Sequence, residues 1–510
     1  MLTWSEFSAA RQRITSAYDP ELLRGVGHQF VEQLAEHLGQ VQASEGMVLP
    51  WREPAANVRE AAECLDRGLP EHAEPEQIIA RFRELVGLML ERGNNLHDPR
   101  YIGHQVPAAV PLAAFFDALG AATNQPMAIY EMGPWATAAE FAMVERLGQE
   151  IGWEAGTFAG LITHGGSLAN LTALLTARNV MLPNFWENGP SAATSTKPPL
   201  LLVHNDAHYS VSRSAGILGL GTAQVVRVGL DARRRMDPNQ LNDALHSHRK
   251  QNRDIVAVVA CCCSTPIGAF DPLRDIAEVC RRHEVWLHVD AAHGGSACLS
   301  PRYRHLVDGL DDADSLAWDA HKMLFMPALC AFVFLRDKGH RFEAFRQEAP
   351  YLFDPTAPGL AEYDSGLRTV ECTKRAAAFG LWGMWCLHGR QLFTDMIDVT
   401  FEMGTTFHQK LVSAPDFEPL HQPECNIVVF RYRPPQLDGA ADDTVGQFQL
   451  ALRRRLIESG EFYIVSTKID GIGALRITII NPLTAPDHLD QLLDALRRHG
   501  QQLLAAGNKT

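Results

Sequence analysis

Lys322 stands in "DSLAWDAHKMLFMPALCAFVFL" (314–335), a stretch whose other residues read as buried strand. Desolvation there favours a neutral amine, which is a usable nucleophile near neutral pH. A lysine can also snorkel to water, but a helix start between two strands offers little route for it. Reactive groups follow other apolar runs too. Asp290 closes "EVWLHVD" ahead of the small residues "AAHGGSA"; Asp319 and His321 follow "DSLAW". His208 sits in "NDAHYS" after "LLLVH", and Ser264 and Thr265 follow "DIVAVVA" in "CCCSTPIGAFD". Taken singly, Asp290 reads equally as a helix cap and His208 as a surface or core histidine. A further turn, Gly165-Gly166-Ser167 in "GLITHGGSLANLTALLTARN" (160–179), leads from a short strand into an amphipathic helix. Small residues let backbone N–H groups meet an anion there. Phosphate cradle, carboxylate for a ring nitrogen and Schiff-base amine are together the parts that pyridoxal 5'-phosphate requires.

Such groups must be brought to one place by the elements that carry them. Between about residues 126 and 385, short apolar runs alternate with helical periods: 200–204, 223–228, 254–260, 284–289, 314–318 and 328–335 read as strands. Strands this apolar need cover on both faces, which predicts a mainly parallel central sheet flanked by helices, an α/β fold. Ligands bind beyond the carboxyl ends of such strands, where each of these polar residues falls. The segment "ENGPSAATSTKPP" (187–199) reads as a loop. Residues 1–95 read as an arm of helices, with "EPEQIIARFRELVGLMLERG" (74–93) showing helical spacing and a glycine stop. The arm suits packing on a partner subunit or a peripheral layer of the same chain. Residues 96–395 form the expected large domain. Residues 396–510, with strands at 426–433, 461–465 and 474–480 and a last helix over 485–500, form a smaller α+β domain.

The chain has 510 residues, long enough for two or three packed domains. Its net charge of −14, from 60 acidic and 46 basic residues spread along the sequence, gives no basic face for nucleic acid or anionic lipid. No apolar run is long enough to span a membrane, and the first residues lack a signal-peptide core, so a cytoplasmic protein is expected. Ten cysteines, three of them adjacent at Cys261, Cys262 and Cys263, read as reduced core thiols. No CxxC pair or histidine grouping at ligand spacing points to a metal.

"HVDAAHGG" (288–295) followed by "DSLAWDAHKM" (314–323) resembles the group II pyridoxal-phosphate-dependent amino acid decarboxylases, of the fold-type I PLP-dependent transferase fold. "DPRYIGHQ" (98–105), "TNQPMAIYEMGP" (123–134), "AHYSVSRSAGILGLG" (207–221), "STPIGAFDPL" (264–273) and "LRITIINPLT" (475–484) follow in that family's order. "YEMGP" and "YLFDP" look closest to its glutamate and cysteine sulfinate branch. The resemblance implies that Lys322 carries the cofactor, with His321 near the phosphate. It implies that Asp290 holds the ring nitrogen protonated, that Ala292 and His208 pack on the two ring faces, and that Gly166 and Ser167 contribute to phosphate binding, with Thr265 beside the cofactor. Tyr351 matches a loop tyrosine acting in the partner subunit's site and serving as acid toward Cα, which implies a homodimer. Arg476 matches an arginine that meets a substrate carboxylate, and His104 and Gln105 fall in the side-chain pocket. Cys263 and Ser264 stand where the family often has Gly-Thr, and Asp319 where it often has Asn; the role of Asp319 is open. The implied reaction is α-decarboxylation of a polar or acidic amino acid: glutamate, aspartate or cysteine sulfinate. Behind these stand 2,4-diaminobutyrate, aromatic acids, and an aminotransferase or lyase reaction on the same fold.

Overall fold

The computed structural model describes residues 3–70, 73–192, 195, 197–346 and 361–507. Its strands are β1 (Pro126–Met127), β2 (Ala159–Thr163), β3 (Leu200–His204), β4 (Val225–Val228), β5 (Ile255–Cys261), β6 (Trp286–Asp290), β7 (Ser315–Asp319) and β8 (Ala331–Leu335). They continue with β9 (Lys374–Arg375), β10 (Phe417–Pro419), β11 (Ile427–Tyr432), β12 (Val465–Ile469) and β13 (Ile472–Thr478). Seven of them form one sheet in the order β2-β8-β7-β6-β5-β3-β4. The run from β4 through β3, β5 and β6 to β7 is parallel, as continuous apolar strands require, and every residue of β3, β5, β6 and β7 is buried. β8 runs antiparallel to β7 and β2 antiparallel to β8, so the β7–β8 connection needs no crossover helix. The helices Gly166–Met181, Tyr209–Ile217, Pro238–Lys250 and Leu273–Arg282 lie between β2 and β3, β3 and β4, β4 and β5, and β5 and β6, while the 3₁₀ turns Gly294–Leu299, Arg304–Val307 and Leu310–Asp312 lead from β6 to β7. They place the polar strand ends, including Asp290 and Asp319, along one edge.

β10, β11, β13 and β12 make a second, antiparallel sheet. Phe407, Phe430, Leu452, Leu456, Leu489 and Leu492 form its core with the helices Gln391–Ser413, Asp442–Ser459 and Pro486–Gly507. Ile102 enters the same core, and its backbone is bonded to Tyr463 and Thr478, which fixes the stretch leading to His104 and Gln105. The expected strand at 461–465 therefore begins only at Val465, because the preceding residues pair with 100–102 instead of the sheet. The helix Gln391–Ser413 runs across the 395/396 boundary expected from sequence. The expected loop at 187–199 opens with helical turns, Phe185–Asn188 and Gly189–Ala192.

The N-terminal residues fold as helices Trp4–Ala17, Pro20–Gln42, Pro54–Asp66 and Pro75–Arg92. Their starts are written in sequence: Thr3 and Glu6 form a reciprocal cap, and the other three helices begin with proline, whose missing N–H is no loss there. Val41 is the single buried residue in these four helices, whereas Trp4, Ile14, Leu65 and Met89 are exposed. No helix among the described residues is long and apolar enough to cross a membrane.

Candidate active site

Beyond β2 the chain turns through Gly165 at a φ of 109°, a conformation open to glycine, and starts a helix at Gly166. A Cβ on Gly166 would lie 2.8 Å from both carboxylate oxygens of Asp319. The two glycines thus serve separate needs, one a backbone angle and the other a close approach.

This turn forms one side of a cavity of about 360 Å³. Gly166, Ser167, Asp290, Ala292 and Lys322 line it. His208, Thr265, His321 and Gln105 complete the predicted set that the fold brings together there. Asp290 ends β6 at 8% exposure; its Oδ2 accepts from Asn170 Nδ2 at 3.1 Å and its Oδ1 from the Ala292 N–H at 3.3 Å. His208 caps the helix Tyr209–Ile217, with Nδ1 2.8 Å from Ser210 Oγ, and burial lowers its pKa against the pull of Asp290.

Lys322 lies neither in a strand nor at a helix start. It occupies a turn just past β7, its side chain 20% exposed to the cavity and its Nζ 3.2 Å from Asp319 Oδ2. Desolvation is thus partial, and the ammonium has a counter-ion three residues back. Asp319 itself is 2% exposed; its Oδ2 also lies 3.6 Å from His321 Nε2, while its Oδ1 has no partner among the described residues. His321 Nδ1 meets the Cys330 carbonyl at 2.8 Å.

Two predicted residues stand outside the lining. Arg476, on β13, donates from Nη1 to the Thr265 carbonyl at 2.8 Å; its Nε is buried without a partner, and burial pushes its pKa down to about 10. No carboxylate pairs with it among the described residues. His104 tilts against Tyr463 at 5.7 Å; burial, then Arg476 and Arg453, lower its pKa. Tyr351 lies outside the described residues.

Sequence reasoning missed Asn170 and His288, both buried and joined at 2.9 Å behind Asp290. The available signal was a polar residue on the covered face of each element: Asn170 beside Ala169 and Ala173, His288 between Leu287 and Val289. It also missed that Cys263, at a φ of 80°, faces Cys425 with sulfurs 3.7 Å apart; all ten cysteines are free thiols.

The family profile described as "Pyridoxal-dependent decarboxylase conserved domain" matches residues 59–433. The cysteine sulfinic acid decarboxylase of Rattus norvegicus is 32% identical over 466 residues, covering 89% of this chain and 92% of that protein. The acidic amino acid decarboxylase GADL1 of Xenopus tropicalis is 29% identical over 89% of this chain and 88% of its own length. The crystal structure of mouse CSAD superposes with a TM-score of 0.84 at 29% identity, covering 94% of this chain and 99% of that one. The structure of Oryza sativa TDC with PLP and tryptamine shares the fold, with a TM-score of 0.84 at 21% identity over 95% of this chain and 99% of that one.

Proposed function

The chain belongs to the pyridoxal-dependent decarboxylases, and from that premise we propose that it removes the α-carboxylate of acidic amino acids: glutamate, aspartate or cysteine sulfinate. It is a carboxy-lyase of fold type I that uses pyridoxal 5'-phosphate. The residues present fit that group. The cavity holds an amine at Lys322 with a carboxylate at Asp290, and Gly165, Gly166 and Ser167 line it where a helix begins, a place suited to an anion. Bound pyridoxal phosphate supplies an electron-withdrawing ring that takes up the charge left on Cα when CO₂ departs. Lys322 would hold it, Gly166 and Ser167 would face its phosphate beside Thr265 and His321, and Asp290 would keep its ring nitrogen protonated through an ion-paired hydrogen bond. Ala292 and His208 would cover the ring faces. Tyr351 is proposed to return the proton to Cα once closure excludes water.

The observation that carries the substrate class is Arg476, a buried guanidinium without a counter-ion among the described residues, one hydrogen bond behind the Thr265 wall. A buried charge demands a partner, and a substrate carboxylate supplies it. Gripping the departing carboxylate would stabilise the reactant over the transition state, so the side-chain acid is the better partner. His104 and Gln105 stand on the chain segment bonded to the same sheet and would contact the side chain. The names of the two relatives, both decarboxylases of acidic substrates, support this class.

A homodimer with shared sites accounts for the apolar side chains that the N-terminal helices leave exposed, among them Trp4 and Met89. Ten free thiols suit a reducing compartment such as the cytoplasm. The test is CO₂ release from a panel of amino acids with added pyridoxal phosphate. Turnover of glutamate, aspartate or cysteine sulfinate with loss of that preference in Arg476→Met supports the reading; turnover confined to aromatic or basic amino acids overturns it.

A further inference from the structure

Asn170 sits near the start of the helix Gly166–Met181 at 1% exposure, and its amide makes three hydrogen bonds. Nδ2 donates to Asp290 Oδ2 and to Ser210 Oγ, each at 3.1 Å. Oδ1 lies 2.9 Å from His288 Nε2. The opposite amide orientation would set Oδ1 against the Asp290 carboxylate, so this orientation is fixed. An amide oxygen only accepts, so His288 carries its proton on Nε2. Burial holds that imidazole neutral, its pKa pushed down to about 4. His288 Nδ1 therefore accepts from Ser315 Oγ at 2.9 Å, and Ser315 Oγ accepts from Trp286 Nε1 at 2.8 Å. On the other branch, Ser210 Oγ accepts from Asn170 and passes its own proton toward His208 Nδ1 at 2.8 Å. All the donors point one way, from Trp286 to the two ends, Asp290 and His208.

We infer that Asn170 is a positioning residue of the reaction: one amide fixes the rotation of Asp290 toward the cofactor's ring nitrogen and orients the Ser210 hydroxyl that, with the Ser210 backbone N–H, meets His208 Nδ1 at the ring face. This rests on the assignment of Asp290 as partner of the ring nitrogen. The carboxylate at the ring nitrogen and the group at the ring face are then positioned together, by the helix whose first turn lines the same cavity.

The experiment uses holoenzyme loaded with pyridoxal phosphate carrying ¹⁵N in the ring. Asn170→Asp keeps the shape and puts a second carboxylate against Asp290, so that the two share a proton. The ring nitrogen resonance is expected to move toward its unprotonated position, and kcat to fall about 10- to 100-fold with KM changed by less than about twofold. Asn170→Ala, which reads the same question should the aspartate variant not fold, is expected to weaken cofactor binding about tenfold. The swap Asn170→Asp/Asp290→Asn restores a hydrogen-bonded pair; it should recover melting temperature but not the resonance. Wild-type resonance, cofactor affinity and kcat in both Asn170 variants, with Asp290→Asn altered, would overturn the inference. An unaltered resonance in Asp290→Asn instead overturns the assignment of Asp290 beneath it.

Discussion

The neighbouring strands β6 and β7 each end in an aspartate that lines the same cavity, yet the two carboxylates are held in opposite ways. Asp290 is bonded by donors that cannot leave, a helix-borne amide and a backbone N–H. Asp319 is bonded by Lys322, a long side chain free to rotate away, and its other oxygen has no partner among the described residues. The difference separates fixed charge from exchangeable charge. In the roles proposed above, a carboxylate that holds a proton on a ring must not turn, whereas one beside the lysine that would hold the cofactor must be able to release that lysine.

Variants at these strand ends can break or sharpen that contrast. Lys322→Ala should have the largest effect, at least about a thousandfold in turnover, with the cofactor absorbance lost on dialysis. An unchanged spectrum would remove Lys322 from the site. Asp290→Asn should follow, about a hundredfold in kcat, because the fixed charge has no substitute. Asp319→Asn, equal in shape, should cost within about tenfold in kcat, since the lysine it pairs with is partly open to the cavity and its water. Equal losses from the two asparagine variants would dissolve the distinction.

The smallest effect concerns His293, which lines the same cavity. His293 donates to or accepts from Asn426 at 2.9 Å, and burial pushes its pKa from 6.5 down to about 3. The unfolded chain binds a proton there from about pH 6.5 downward while the folded chain does not. Stability thus rises with pH across that window and is lost as pH falls from about 6.5 toward 3. His293→Gln should flatten the decline in melting temperature below pH 6.5; an undiminished slope would assign it to other groups, His288 first.

Much of this site was legible in the sequence because parallel strands are apolar on both faces, so polar residues at their ends stand out. Lys322, Asp290, His208 and the Gly165-Gly166-Ser167 turn were found in that way. Asn170 was not, since one polar residue in an amphipathic helix reads first as part of its wet face, and its small apolar neighbours Ala169 and Ala173 were the one hint that it turns inward. The bareness of Arg476 and the pairing of Lys322 with Asp319 are facts about partners, which spacing alone does not reveal. Strand β12 was misplaced because residues 461–464 answer to a segment more than three hundred positions earlier.

The reversal of β8 has a mechanical consequence. The loop carrying Lys322 is closed by the rungs Asp319↔Ala331 and Trp318↔Phe332 of an antiparallel ladder, and its own residues are bonded back to Cys330 and Asp319. The base of the lysine is therefore clamped like a hinge pin, and the reach it needs must come from rotation of four methylenes on a still backbone. Deuterium exchange of the bonded amides of His321, Lys322, Phe325 and Met326 should be as slow as that of β7 itself, in loaded and unloaded protein alike.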